Sequence, residues 1–209
     1  MQILVIAATA QEIKPFTDAN TRVDVLITGV GAPSTIYHLQ KRIQQMNYDF
    51  IIQAGIAGSF TNDIELGKVL LVQQDCFADL GIEEKGVYNP IFNIGFADKN
   101  EFPFADGWLM NADDNLKYLD LPKAKAITVN KVSDSELQKK QFIKTFNADI
   151  ETMEGAALHY VCLQENIPFL QLRSISNYVG ERDKTKWKMK EAIENLNSEL
   201  QILINAPNP

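Results

Sequence analysis

Histidine and cysteine are scarce in this chain, with two of each among 209 residues. Neither His38 and His159 nor Cys76 and Cys162 have the close spacing of a zinc-ligand set, so no metal centre is expected. The two cysteines sit in apolar contexts, which suits buried free thiols in a reducing compartment, and a cytoplasmic protein is expected. Positive charge is in deficit: 20 Lys and Arg stand against 27 Asp and Glu, a net charge of −7. A surface that grips a phosphate backbone needs the opposite balance, which argues against nucleic acid as a partner. No apolar run approaches the roughly 18 residues needed to span a bilayer, so no membrane partner is expected. The apolar start, Met1 to Ala8, has neither a basic leader nor a cleavage-site pattern and reads as a buried strand, not a signal peptide. A Walker loop and a Gly-x-Ser-x-Gly nucleophile elbow are both missing. So are repeats, low-complexity tracts and linkers, and residues 1–209 read as one domain.

What is present is an alternation of short apolar runs with amphipathic ones. Ile3 to Ala8, Val23 to Thr28, Phe50 to Ala54, Val69 to Gln73, Ala124 to Val129 and Phe169 to Ile175 read as strands buried on both faces. Helices are expected from about Ser34, as an N-cap region, to Met46, and over Ser135 to Phe146, Gly155 to Glu165 and Thr185 to Asn205. In the last of these, Met189, Ala192, Ile193, Leu196, Leu200, Leu203 and Ile204 form one apolar stripe. The pattern argues for an α/β sandwich with a largely parallel central sheet. Glu83 to Asp120, rich in Asn, Asp, Gly and Phe, reads as an excursion of short strands or irregular structure.

Three local features are candidates for chemistry. Gly29-Val30-Gly31-Ala32-Pro33-Ser34 follows a strand and opens a helix. Ser34 replaces the third glycine of a dinucleotide fingerprint, and no acid stands well placed downstream, so a tight turn is the better reading. Gly55-Ile56-Ala57-Gly58-Ser59 also follows a strand, and reads either as a tight turn or as backbone amides that cradle an anion or a water. Glu151-Thr152-Met153-Glu154-Gly155-Ala156-Ala157 puts Glu154 where an extended run meets a helix whose first turn is small. There a ligand can approach the backbone closely, or the acid can simply complement the helix dipole.

In chain order, Glu12 after the first strand, Gln53-Ala54-Gly55-Ile56-Ala57-Gly58, Met153-Glu154-Gly155-Ala156-Ala157 and Arg173-Ser174-Ile175-Ser176-Asn177 resemble the purine nucleoside phosphorylase and nucleosidase superfamily over most of the chain. That resemblance implies a three-layer α/β/α sandwich around a mixed, largely parallel sheet. Leu172 to Lys184 and Phe77-Ala78-Asp79-Leu80-Gly81 are most similar to the futalosine hydrolase branch, which acts in a menaquinone pathway. Methylthioadenosine/S-adenosylhomocysteine nucleosidases place Asp where this chain has Asn177 and Ser where it has Ile56. Hexameric phosphorylases carry Arg where Gln53 aligns, a cation that a phosphate nucleophile wants.

The resemblance implies hydrolysis of an N-ribosyl bond with water as nucleophile and no cofactor. Futalosine, releasing hypoxanthine, is the expected substrate, and an adenine-releasing nucleosidase the alternative. It further implies a homodimer or a dimer-based assembly. Glu12 is the candidate general base for water, though an exposed loop acid fits the same residues. Glu154 is the candidate partner of the ribose hydroxyls, steadying the cationic sugar. Asn177, whose amide both donates and accepts, is the candidate contact to the base, or else a turn amide. Met153 is expected against the sugar face, or as core filling. Gly55, Ile56 and Phe77 are expected to bind substrate, Phe77 with the stretch Thr128 to Asp134 at the base. Arg173 and Asp183 are expected to be structural, His159 to pack, and Asp79 is a weak candidate for the far end of the substrate.

Overall fold

The structure, a computed structural model, describes residues 1–19, 22–112, 119–132 and 134–205. In chain order the elements are β1 (Ile3–Ala7), α1 (Lys14–Ala19), β2 (Asp24–Ile27), α2 (Ala32–Ile43), β3 (Phe50–Ser59), β4 (Val69–Asp75), β5 (Gly81–Glu84), β6 (Val87–Pro90), β7 (Phe104–Ala105), β8 (Trp108–Met110), β9 (Lys123–Thr128), α3 (Glu136–Phe146), β10 (Ile150–Thr152), α4 (Gly155–Gln164), β11 (Phe169–Tyr178) and α5 (Met189–Asn205).

β1 shows why these runs form a central sheet. Alternate side chains leave opposite faces of a strand, so a strand covered on both sides must be apolar throughout. Leu4 and Ile6 pack with Leu39 of α2 and Leu158 and Val161 of α4. Val5 and Ala7 pack with Phe16 of α1 and Leu196 and Leu200 of α5. Helices therefore cover the sheet on two sides, and α3 adds Phe142 to a cluster with Cys76, Ala78, Ile127 and Val129. The architecture is α/β, as the alternation of runs predicts.

β3 is the hub. Its first half pairs parallel with β1, which pairs parallel with β2. Its far end, at Gly58 and Ser59, pairs antiparallel with β10, and β11 runs parallel to it along its length. β11 also pairs antiparallel with β4, β4 parallel with β9, and β9 parallel with β10. Strands β3, β11, β4, β9 and β10 thus close a ring, and a cluster of Ala57, Leu70, Val72, Ala124, Ala126, Ile150 and Ile175 draws a side chain from each of them. β8 and β7 extend the sheet antiparallel beyond β4, and β5 with β6 forms a separate hairpin.

Several boundaries differ from the sequence reading. β3 does not stop at Ala54 but runs through Gly55-Ile56-Ala57-Gly58, which is paired strand rather than a turn or an anion cradle. Glycine is tolerated there because a Cβ on Gly55 would overlap the Arg173 guanidinium. β11 continues past Ile175 to Tyr178. α2 starts at Ala32 with Gly31 as its N-cap, and the Ser34 hydroxyl donates instead to the Thr28 carbonyl at 2.6 Å. α5 starts at Met189, after a short 3-10 turn at Lys184–Lys186. The excursion contributes β5 to β8; its residues 113–118 lie outside the described residues. Both cysteines are free and buried. No helix among the described residues is long and apolar enough to cross a membrane.

Candidate active site

Glu12 lies in the turn between β1 and α1, only 8% exposed. One carboxylate oxygen accepts from the Thr9 amide at 2.9 Å and the Thr9 hydroxyl at 2.8 Å. The other accepts from the Ile56 amide of β3 at 3.2 Å. A buried polar side chain of α5 holds the turn from behind: Asn197 donates to the Glu12 carbonyl at 2.8 Å and accepts from the Phe16 amide at 2.9 Å. Asn197 sits on the apolar stripe of α5, where a polar residue needs such partners. The exposed-loop reading of Glu12 does not describe this placement.

Glu154 precedes α4 and is 5% exposed. It makes no side-chain cap to its own helix. Its carboxylate accepts instead from the Gly31 amide at 3.0 Å, at the N-terminus of α2. Free amides and the dipole there favour an anion. Arg173 of β11, 1% exposed, supplies the counter-charge with Nη1 at 3.6 Å. Burial pushes the Glu154 carboxyl above the ordinary glutamate value, Arg173 and the Gly31 amide oppose that, and the Glu12 carboxylate adds to it. Arg173 is tied further by a 2.7 Å bond to Gln53 Oε1 and by the Ile56 carbonyl at 3.4 Å. The guanidinium thus sits beneath both acids, a structural role but a central one.

Asn177 owes its position to an irregularity. β11 tracks β3 residue for residue up to Ile175 opposite Ala57, then Ser176 is inserted and Asn177 falls opposite Gly58. An extra residue in one strand re-aims the side chains that follow. The Asn177 carbonyl oxygen accepts from the Ser176 hydroxyl at 2.8 Å, and its amide nitrogen donates to the Tyr178 carbonyl at 3.0 Å.

Glu12, Ile56, Met153, Glu154 and Asn177 line one cavity of about 390 Å³, within the size range of small-molecule sites. Gly55 lies under Glu12, where a Cβ would come 3.2 Å from its carboxylate. Phe77 is elsewhere. The residue after Cys76 bridges in parallel to Thr128, and its ring meets Tyr160 of α4 edge-on at 6.2 Å. It lines a separate cavity of about 170 Å³ with Phe92, Phe104 and Trp108, so the expectation that it reaches the base is corrected. Of the stretch Thr128 to Asp134, Val132 reaches the site cavity, Thr128 is buried against Asp75, and Ser133 lies outside the described residues. His159 is packed in the core, its Nδ1 2.9 Å from the Leu109 carbonyl. Asp79 accepts from the Asn130 amide, and Asp183 caps the turn at Thr185. The sequence reading missed Glu151, Arg182, Lys184 and Trp187, which also line the cavity. Among the described residues no group of three His, Cys, Asp or Glu could hold a metal.

Behind the site lies a buried polar chain. Asp75 accepts from Thr128 at 2.9 Å, from the Cys76 amide at 2.8 Å and from Gln171 at 3.1 Å. Burial pushes its carboxyl up to about 7, against the pull of Thr128, Gln171 and Arg173. Burial pushes neighbouring His159 down to about 4. The raised value means that the folded protein keeps a proton that the unfolded chain has lost between about pH 4 and 7. Stability from this group is therefore greatest at low pH and falls as pH rises to about 7, then levels off. The full span from 3.8 to about 7 corresponds to on the order of 4 kcal/mol. Asp75→Asn is expected to remove that slope, so that denaturant unfolding shows the variant gaining on wild type from pH 5 to pH 8. The amide also suits Gln171, whose oxygen is unpartnered and can turn to accept from it. A stability difference independent of pH sinks this reading.

The chain has relatives among known proteins. Residues 3–206 match the model of the phosphorylase superfamily. A futalosine hydrolase of Thermus thermophilus is 28% identical over 174 residues, which are 82% of this chain and 76% of that protein. A 5'-methylthioadenosine/S-adenosylhomocysteine nucleosidase of Buchnera aphidicola is 27% identical, covering 84% of this chain and 71% of its own length. The native structure of futalosine hydrolase of Helicobacter pylori superposes with a TM-score of 0.80 at 17% identity, over 98% of this chain and 97% of that one. With a family match that spans nearly the whole sequence and a fold shared along its length, the chain belongs to the phosphorylase superfamily.

Proposed function

We propose that the protein is a nucleosidase that hydrolyses the N-ribosyl bond of futalosine and releases hypoxanthine, without a cofactor. The observation that carries this reading is the convergence of Glu12 and Glu154, 142 positions apart, on one cavity where each carboxylate is held by a backbone amide. Three demands must be met: water must be made nucleophilic, positive charge on the sugar must be stabilised, and the base must be oriented as it leaves. Glu12 takes the proton of the attacking water. Glu154 accepts from the ribose hydroxyls and opposes the charge that grows at the anomeric carbon. Met153 covers the sugar.

Asn177 supports a 6-oxopurine. Its oxygen is engaged by Ser176, and one amide hydrogen by Tyr178, which leaves the second hydrogen as a donor. A donor fits the O6 of hypoxanthine and repels the 6-amino group of adenine. Arg182 and Lys184 at the cavity supply cations for a carboxylated substrate such as futalosine or S-adenosylhomocysteine, which methylthioadenosine is not. Water rather than phosphate is supported by Gln53, which is buried, faces Arg173 and does not line the cavity.

The test is a panel of futalosine, inosine and methylthioadenosine in phosphate-free buffer, with free base resolved by chromatography. Futalosine is expected to give the highest kcat/KM by at least about tenfold, a margin of about 1.4 kcal/mol in transition-state binding. Faster release of adenine from methylthioadenosine assigns the alternative substrate, and a strict need for phosphate assigns phosphorolysis.

A further inference from the structure

Two carboxyl groups in the cavity have no task in the reaction as proposed, and one of them, Glu181, is paired with Lys186 and bonded by the Asp183 amide. The other, Glu151 of β10, lines the same cavity as Glu12, Glu154 and Asn177, and is 9% exposed. Its backbone pairs with Gly58 on one edge of β3, and Asn177 pairs with the same Gly58 from the other edge. Residues directly paired across neighbouring strands project to the same face of a sheet. Glu151 and Asn177 therefore stand on either side of a glycine, two strand spacings or about 10 Å apart along the backbone. Gly58 leaves the floor between them open; a Cβ there would come 3.3 Å from the Asn177 amide nitrogen. The interval suits a flat ring held at both ends.

Glu151 is also unengaged. Among the described residues no hydrogen bond or ion pair reaches its carboxyl, although the other three buried acids of the described fold, Glu12, Glu154 and Asp75, are bonded. A largely buried carboxyl with no partner in the protein calls for an explanation, and a catalytic role is one of the few available. The departing purine takes the bonding electrons of the broken C–N bond and must gain a proton to leave as a neutral molecule. Asn177 cannot give one, since an amide donates a hydrogen bond but not its proton at neutral pH.

We propose that Glu151 is the general acid of the reaction, delivering its proton to a ring nitrogen of the departing base across the cavity from Asn177. As the C–N bond breaks, the base keeps the electron pair and takes the Glu151 proton. Water adds its hydroxyl to the anomeric carbon and gives a proton to Glu12. The base leaves neutral, Glu151 is left ionised and Glu12 protonated, and exchange with solvent restores both. Burial pushes the Glu151 carboxyl up to about 7, Asp79 adds to that and Arg182 opposes it, so the acid form is populated at neutral pH. A pKa near the working pH is what general-acid catalysis requires. The assignment rests on the nucleosidase reading of the cavity.

The experiment compares wild type, Glu151→Gln and Glu12→Gln on futalosine and on its N7-methyl derivative, whose base already carries the positive charge and leaves without a proton. Glu151→Gln is expected to lower kcat on futalosine by about 100-fold with KM within about threefold, and on the methylated substrate by less than about fivefold. Glu12→Gln is expected to slow both alike. Equal losses of Glu151→Gln on the two substrates, a loss confined to KM, or a near-native rate on futalosine overturns the assignment. Should wild type reject the methylated substrate, the pH profile decides. The fall in wild-type kcat as pH rises through about 7 must vanish in Glu151→Gln, against the unchanged background of Glu12, Glu154, Arg173, Asp79, Glu181, Arg182 and Lys184. A retained limb overturns it. A wild-type protein that frees no base from any nucleoside overturns the nucleosidase reading as well, whereas the failures above, in an active wild type, overturn the acid alone.

Discussion

Glu12→Gln is expected to lower kcat on futalosine by about 10³-fold, the middle of the range for a positioned general base. The amide keeps the volume of the carboxylate but removes the basic oxygen. It also turns a donor toward partners that are donors themselves. At present the two oxygens accept from the Thr9 amide, the Thr9 hydroxyl and the Ile56 amide. Glutamine can satisfy one side of that set and clashes with the other, at about 1 to 3 kcal/mol for a buried group left unpaired. The variant should therefore unfold at a lower temperature than wild type while keeping the same circular dichroism. Activity is measured well below that temperature. A kcat within about tenfold of wild type means that another group activates the water.

The second large effect belongs to Glu154→Gln, for which a loss of about 10³-fold in kcat is expected, comparable to removing a preorganised charge partner from a transition state. Its signature differs from that of Glu12. In the proposed mechanism Glu154 acts through the ribose hydroxyls, so its loss should matter less for a substrate that lacks the 2'-hydroxyl. A cycle of wild type and Glu154→Gln against ribosyl and 2'-deoxyribosyl substrates measures that coupling. Glu12→Gln, tested the same way, should show none. Equal losses of Glu154→Gln on both sugars detach Glu154 from the hydroxyls. The substitution also leaves the Arg173 guanidinium buried without its anion, with Gln53 and the Ile56 carbonyl as its remaining partners. Removing one partner of a buried ion pair commonly costs about 3 to 5 kcal/mol, and the 3.6 Å separation here points to the lower end.

The sandwich was legible in the sequence because each central strand must be apolar on both faces, and runs such as Ile3 to Ala8 show nothing else. Boundaries were less legible where glycine carries two meanings. Gly55 and Gly58 read as turn residues, yet they lie in β3 because the Arg173 guanidinium and the Asn177 amide occupy the space that side chains would fill. No local pattern reveals a neighbour 118 positions away. Glu12, Met153, Glu154 and Asn177, which the structure brings to one cavity, were singled out by motif, and their motifs are local. Phe77 was misplaced for the same reason that a motif works: an aromatic beside a strand end marks a wall, but not of which cavity. Asn197 and Glu151 were passed over because a lone polar residue on an apolar helix stripe, or next to a more prominent acid, carries no signature of its own. The bulge at Ser176 could not be read at all, since a one-residue shift of register depends on the partner strand.

The hydrogen bonds that Asn197 makes with the Glu12 carbonyl and the Phe16 amide join residues 185 and 181 apart in the chain. The first acid is thus held in place by the final helix of the described fold. During synthesis the β1–α1 corner emerges early, but it lacks its brace until α5 has docked against it. On the nucleosidase reading proposed above, turnover is therefore expected of the finished molecule only: a chain halted or cleaved before residue 189 would keep every acid named above and is expected to hydrolyse poorly.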